Sequence, residues 1–476
     1  MMNGKHHASR GGAAVKRIWT LLLLFALAAG MLSGCSLRSP EELYALPRLP
    51  DEFSDLQEKI NEVTAVGGIY AGGAELISPV SGDNTQTVQL QDLDGDGVSE
   101  AIAFFRTSGE ERPLKIYIFR RGEEGYDIGA VIEGDGNAID SVDYENLNGS
   151  PAKEMLVSWQ LSANVHNLAA YTTQGGSMVQ IMESMGYSRY RLMDVDRDGL
   201  RELLVLQVNT VDGTNRVECW QSEGDTLRMA SAAPMSLGVT GLVSTTPQQG
   251  YLRSDEMIPA LFVTSYFGEG GVTDVFAWQD EALVNVTMDS ELQYSAVAVR
   301  QNVDMIPQDI NGDGFTEVPM PVAFSAAYGS SSGDIFCSWR QFDAQGEPWS
   351  AFTTYHNERD IDLWYFILPD EWEGLITVTT REQTVLGERQ VIFSYQSDET
   401  DAMGLPVAAQ PFLTIYKLTG ANRQSRAKIG ERFVLDMDDD TIYCAEFTEI
   451  DWDCGLDQET ILDHFRLVTE SFSDDG

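Results

Sequence analysis

D-L-D-G-D-G-V-S-E, residues Asp92 to Glu100, is the stretch on which the reading of this chain turns. Oxygen-bearing side chains stand at its positions 1, 3, 5 and 9, with a glycine at position 6. This is the spacing by which a tight loop wraps a hard cation such as Ca²⁺. Directly behind it comes Ala101-Ile102-Ala103-Phe104-Phe105, short, apolar and strand-like. The frame returns as D-V-D-R-D-G-L-R-E from Asp194 to Glu202 and as D-I-N-G-D-G-F-T-E from Asp309 to Glu317. Leu203 to Leu206 follows the second copy as a strand pattern, and Val318 to Val322 follows the third. Pro319 and Pro321 restrict that last segment to an edge or irregular strand. A helix-loop-helix calcium motif needs a bidentate acid at position 12 and a helix after it. Position 12 here is Ala103, Val205 and Met320, so each loop joins two strands instead.

Degenerate copies fill the gaps between the complete ones. N-L-N-G-S-P-A-K-E from Asn146 to Glu154 keeps the frame and a following strand but has lost the carboxylates at positions 1, 3 and 5. Tyr251 to Pro259 keeps only the strand behind it, Ala260 to Val263. The starts at 92, 146, 194, 251 and 309 are then separated by 54, 48, 57 and 58 residues, a period typical of propeller blades or another repeat array. An aromatic-bearing strand keeps the same phase: Phe119, Tyr171, Trp220, Trp278 and Trp339 lie 27, 25, 26, 27 and 30 residues past the loop starts. One Asp-Gly loop alone would read as a solvated turn. Three copies in phase with an aromatic strand point to a ligand. Strand, loop, strand, strand, strand makes a four-stranded unit, and five such units occupy roughly residues 85 to 360.

A loop of this spacing between two strands closely resembles the calcium loop of the FG-GAP/VCBS repeat family, the β-propeller blades of the integrin alpha N-terminal type. The resemblance implies structural Ca²⁺ held by side chains at positions 1, 3, 5 and 9 and by the carbonyl at position 7. Those residues are Asp92, Asp94, Asp96, Val98 and Glu100 in the first loop. They are Asp194, Asp196, Asp198, Leu200 and Glu202 in the next complete one, and Asp309, Asn311, Asp313, Phe315 and Glu317 in the last. The expected fold is mainly β: a propeller-like array over residues 67–362, followed by a smaller α+β domain over 363–476. The boundary is placed where the loop motif and the spaced aromatic both stop; the alternative is a single seven-bladed ring that uses the later strands as well. Asp457 is expected to cap a closing helix with Ile461, Leu462, Phe465 and Val468 on one face.

At the other end, residues 1–34 hold no acid and four bases, Lys5, Arg10, Lys16 and Arg17, ahead of an apolar run from Ile18 to Leu32. This is a secretory pattern. Its end, Leu32-Ser33-Gly34-Cys35, resembles a bacterial lipobox, and that resemblance implies cleavage before Cys35 and lipidation of it. Residues 35–66 then read as a linker with a short helix, Phe53, Leu56, Ile60 and Val63 on one face. The expected location is the outer face of a bacterial cell membrane, lipid-anchored.

Removal of the first 34 residues takes four of the 31 bases and none of the 74 acids, leaving a formal charge of −47. Such a surface repels nucleic acid and anionic headgroups, so neither is an expected partner. No C-x-x-C pair exists, and no two histidines stand at ligand spacing. Cys219 and Cys337 read as buried thiols, while a bridge between Cys444 and Cys454 is compatible with an exported chain. Gly329-Ser330-Ser331-Ser332-Gly333 matches a nucleophile elbow only in letters, since a strand and not a helix follows it. The expected function is binding or scaffolding, toward an extracytoplasmic protein or glycan. The alternative is a carbohydrate-active or other hydrolytic enzyme that uses the propeller face or the C-terminal domain.

Overall fold

The structure, a computed structural model, describes residues 54–467 apart from 67–73, 124, 211–212, 244–246, 301–305, 325–333, 358–363, 384–386, 398–402, 404–406 and 439. The leader, Cys35, Phe53, Gly329 to Gly333 and Val468 lie outside the described residues. Helix α1 (Ser54–Val66) carries the expected apolar stripe, with Leu56, Ile60 and Val63 all buried. No helix among the described residues is long and apolar enough to cross a membrane.

The rest is antiparallel β. The first sheet holds β1 (Glu75–Ile77), β2 (Val88–Gln91), β3 (Glu100–Arg106), β4 (Leu114–Gly122) and β5 (Gly125–Gly134). The second is β6 (Ala138–Glu145), β7 (Glu154–Ser162), β8 (Val165–Gln174) and β9 (Ser177–Tyr187). The third is β10 (Arg189–Met193), β11 (Glu202–Gln207), β12 (Arg216–Glu223) and β13 (Thr226–Pro234). The fourth comprises β14 (Val239–Leu242), β15 (Gln248–Leu252), β16 (Ile258–Phe267), β17 (Gly270–Gln279), β18 (Ala282–Asn285) and β19 (Val299–Arg300). The fifth runs β20 (Val318–Pro321), β21 (Asp334–Phe342), β22 (Pro348–Asn357) and β23 (Trp364–Leu368). The sixth contains β24 (Ile376–Gln383), β25 (Glu388–Tyr395), β26 (Gln410–Thr419), β27 (Phe433–Met437) and β28 (Thr441–Phe447). A last strand, β29 (Phe465–Leu467), returns to pair with β23. With both its prolines, β20 lies at the edge of its sheet, as their missing donors require.

The strand behind each loop is buried on both faces. Met155 and Val157 of β7 point into a cluster shared with the first sheet, while Leu156 between them joins one shared with the third. Leu203 and Val205 of β11 alternate with Leu204 and Leu206 in the same way. Strands covered on both faces read as continuous apolar runs rather than as alternation, which is how these segments appear in the sequence. Further clusters join the fourth sheet to the fifth and the fifth to the sixth. Among the described residues these clusters link each sheet to its neighbours in chain order.

The aromatic residues that kept phase in the sequence occupy equivalent places. Phe119, Tyr171, Trp220 and Trp339 pair across the sheet with Ala101, Met155, Leu203 and Pro319, the first or second residue after position 9 of the loop. At each of these four aromatics the register toward the following strand shifts, a bulge that bends the strand and re-aims its side chains. The fourth sheet pairs β17 with β18 around Trp278 without a shift.

Three expectations are corrected. The boundary placed at residue 363 is crossed by backbone pairing of β22 with β23. It is also crossed by one aromatic core that holds Phe336, Tyr355, Phe366, Trp372, Phe393 and Phe412 together. All six sheets belong to one compact unit, Lys59–Gly476. The closing helix is a single turn, Ile461–His464, because Phe465 is drawn into β29 beside Trp364. Asp457 does accept the N–H groups of Glu459 and Thr460, both at 2.9 Å. Cys444 and Cys454 are free thiols: Cys454 packs against the large aromatic core, and Cys444 lies in a separate cluster with Tyr416 and Leu418.

Candidate metal centres

Each complete loop is wound by its own carboxylates. The position 1 aspartate accepts the N–H of the position 6 glycine, Gly97 to Asp92 at 2.9 Å, Gly199 to Asp194 at 3.1 Å and Gly314 to Asp309 at 2.8 Å. The position 5 carboxylate accepts the N–H of position 7, from Val98, Leu200 and Phe315 at 2.7, 2.8 and 2.9 Å. Gly97, Gly199 and Gly314 have φ of 88°, 93° and 91°, the left-handed region that a side chain disfavours. This fixes glycine at position 6.

Position 9 plays a different part. Glu100, Glu154 and Glu202 begin the next strand and Glu317 stands just before β20; all four are buried, and each accepts the N–H of position 2 at 2.8 to 3.1 Å. Burial raises all four carboxyls above the usual range, and pushes Glu202 and Glu317 up to about 7. The glutamate therefore ties the end of each loop back to its start, and Glu202 and Glu317 also bring an oxygen to the acids of their loops.

Three acids meet in each complete loop. Asp92, Asp94 and Asp96 bring oxygens within 4.8 Å of one another; so do Asp194, Asp196 and Glu202, and Asp309, Asp313 and Glu317. Glu100 and Asp198 are not in these sets, and Asn311 uses its amide to donate to Asp313 at 3.0 Å. The donors are all oxygen, which suits a hard cation such as Ca²⁺. Asp194 supplies a direct test of fit: its Oδ1 is buried without a hydrogen-bond partner, a state that costs free energy unless something binds it.

The Asn146 loop satisfies itself instead. Asn148 Nδ2 donates to Glu154 Oε1 at 2.8 Å, and Gly149 N donates to Asn146 Oδ1 at 2.7 Å. A side-chain amide thus stands at position 1, where the complete loops present Asp92, Asp194 and Asp309, and at position 3, where two of them present Asp94 and Asp196. Position 6 is Pro151, which cannot take a positive φ.

One class of residue is absent from the sequence-derived set. The side chain one or two places past the aromatic reaches its own loop: Thr172 to Glu154 at 3.1 Å, Gln221 to Asp196 at 2.8 Å, and Gln341 to Asp313 and Glu317 at 2.8 and 2.7 Å. Arg120 holds the same place beside Phe119, and its charge acts on Glu100. The aromatic spacing was the signal that marks them.

Successive loops touch in order. Lys153 N donates to Leu93 O at 3.3 Å, Arg201 pairs with Glu145 at 2.9 Å, Arg197 pairs with Glu256 at 3.4 Å, and Thr316 N donates to Tyr251 O at 3.1 Å. Tyr365 Oη then donates to Ile310 O at 2.7 Å. The loops form one row along the stack.

No family model matches this chain, and no curated protein does. Among solved structures, that of the exotype rhamnogalacturonan lyase YesX is similar with a TM-score of 0.26 and 10% identity, over 67% of this chain and 72% of that one. A likeness of that degree carries no argument about this chain.

Proposed function

We propose that this protein is a lipid-anchored, extracytoplasmic binding or scaffolding module whose stacked sheets are blades of a propeller-like array tied by structural Ca²⁺. The observation that carries the calcium reading is the shared geometry of three acidic loops, one with an orphaned buried carboxylate oxygen. Each would hold its cation through Asp92, Asp94 and Asp96, through Asp194, Asp196 and Glu202, or through Asp309, Asp313 and Glu317. Bound Ca²⁺ would neutralise carboxylates that otherwise repel within a few ångströms and would join one strand to the next. The anchor rests on the sequence around Cys35.

Ligand binding to the folded state alone stabilises it by RT ln(1 + [Ca]/Kd). For Kd on the order of 10⁻⁴ to 10⁻³ M at about 1 mM Ca²⁺, each site contributes roughly 0.4 to 1.4 kcal/mol. The mature chain should therefore melt several degrees lower in chelator than in calcium. Equal melting in both buffers would make the loops ordinary turns. For the anchor, Cys35→Ser should release the protein from the membrane fraction or leave the precursor uncleaved, since stable tethering needs more than one acyl chain. Unchanged partition and unchanged N-terminal mass would remove the anchor from the account.

A further inference from the structure

A cavity of about 710 Å³ is walled by β6, β10 and the tip of β9, with Ser81 to Asp83, Pro247 and Gln249 at its margins. Its chemistry differs from that of the loops. Asp140 and Asp143 project from β6; Tyr187, Arg189, Tyr190 and Arg191 come from the β9–β10 corner.

The wall is pre-arranged by hydrogen bonds. The Tyr190 hydroxyl donates to Asp143 and shares a contact with Ser141 Oγ at 3.1 Å. Buried Ser158 bridges Tyr187 Oη at 2.6 Å and Asp140 Oδ2 at 3.2 Å. His166 Nε2 stands 3.9 Å from Asp140. The two tyrosine rings meet edge to face at 5.4 Å. Held groups of this kind lose little entropy when a ligand arrives.

Size and charge narrow the ligand. The volume suits a small organic molecule and far exceeds one ion. Three carboxylates, Asp83, Asp140 and Asp143, and three guanidinium groups, Arg189, Arg191 and Arg201, line it, the last of them already paired with Glu145, in a chain of formal charge −43. The balance of signs disfavours a polyanion and a polycation alike, and the density of charge disfavours an apolar ligand. What remains is a neutral molecule rich in hydroxyls, whose groups can donate to the carboxylates and to the tyrosine oxygens and accept from the guanidinium groups.

We propose that this cavity binds a neutral saccharide, as a short oligosaccharide or the end of a longer glycan. The proposal deepens the binding-module reading by naming its ligand, and it depends on neither the anchor nor the calcium sites. The test is calorimetric titration of the mature chain, in calcium, with neutral gluco-, manno- and xylo-oligosaccharides. Oligogalacturonides and free amino acids serve as comparison probes. One neutral saccharide should bind at one site per chain. Asp140→Asn, nearly isosteric, and Arg191→Gln, at a half-buried position, should each weaken it by about tenfold or more, the effect of losing a charge-assisted hydrogen bond. Their calcium-dependent melting should match that of the parent, which separates loss of the site from loss of the fold. Absence of binding by every neutral saccharide would overturn the proposal, as would binding only of the acidic or amino-acid probes. Binding that survives both substitutions would also overturn it. A parent chain that melts identically in calcium and chelator would instead count against the calcium reading.

Discussion

Two glycines two residues apart show how a single position is set. Gly95 and Gly97 both have positive φ, 75° and 88°, so alanine at either carries a left-handed penalty of about 1 kcal/mol. A Cβ on Gly97 would meet nothing within 4 Å, whereas one on Gly95 would lie 2.5 to 2.7 Å from Pro151 backbone and side chain in the neighbouring loop. Gly95→Ala should therefore lower the denaturation midpoint distinctly more than Gly97→Ala; equal losses would mean that the loop row is not packed. The buried glutamates make a second case. Burial pushes Glu202 and Glu317 up to about 7 in the cation-free loops. The folded state then holds protons between about pH 4.5 and 7 that the unfolded chain has released, so cation-free stability falls as pH rises through that window. Calcium bound as proposed would have to displace the same protons. Its affinity at these two loops should level off above about pH 7 and fall by about tenfold per pH unit well below it. Titrations at about pH 5.5 and about pH 8 that gave one affinity would contradict the linkage.

At the scale of elements, strand order and loop frame were legible in the sequence because a two-sided burial leaves an uninterrupted apolar run and a loop wound by its own carboxylates needs them at fixed intervals. The aromatic phase was legible too, but its consequence was not. Which side chain a bulge turns toward a loop depends on register across the sheet, as the offset of Gln341 from Trp339 against Gln221 from Trp220 illustrates. Also invisible was the tie in the fourth sheet, whose connection has lost the motif. There fully buried Asp274 accepts Ser236 N at 2.9 Å, Ser236 Oγ and Ser295 Oγ at 2.6 Å each, and Asn285 Nδ2 at 2.9 Å. Its donors come from segments up to 38 residues away, and no local pattern announces them. Asp274→Ala leaves four buried donors unmatched and should cost about 3 kcal/mol or more. That loss should be the same in calcium and in chelator; a loss appearing only in chelator would tie Asp274 to the cation sites instead.

For the whole molecule, the misplaced boundary has a physical cause. The loop period ends near residue 360, but hydrophobic packing does not follow the period. The largest aromatic core joins the fifth sheet to the sixth, and β29 returns from near residue 465 to pair with β23. A fragment beginning at Leu363 would take β23 away from β22 and expose Trp364 and Phe366. It should be insoluble or unfolded by circular dichroism, and a cooperative melt of that fragment alone would restore it as a domain. The account as a whole rests on three cation sites in a row of five loop positions. Calcium titration of the chelator-stripped mature chain by calorimetry tests this most directly. The predicted result is about three sites per chain, one of which disappears in Asp96→Ala, with none lost when Asn148 is changed to alanine. An absence of calcium-dependent heat, or a site lost with Asn148 and kept without Asp96, would contradict it.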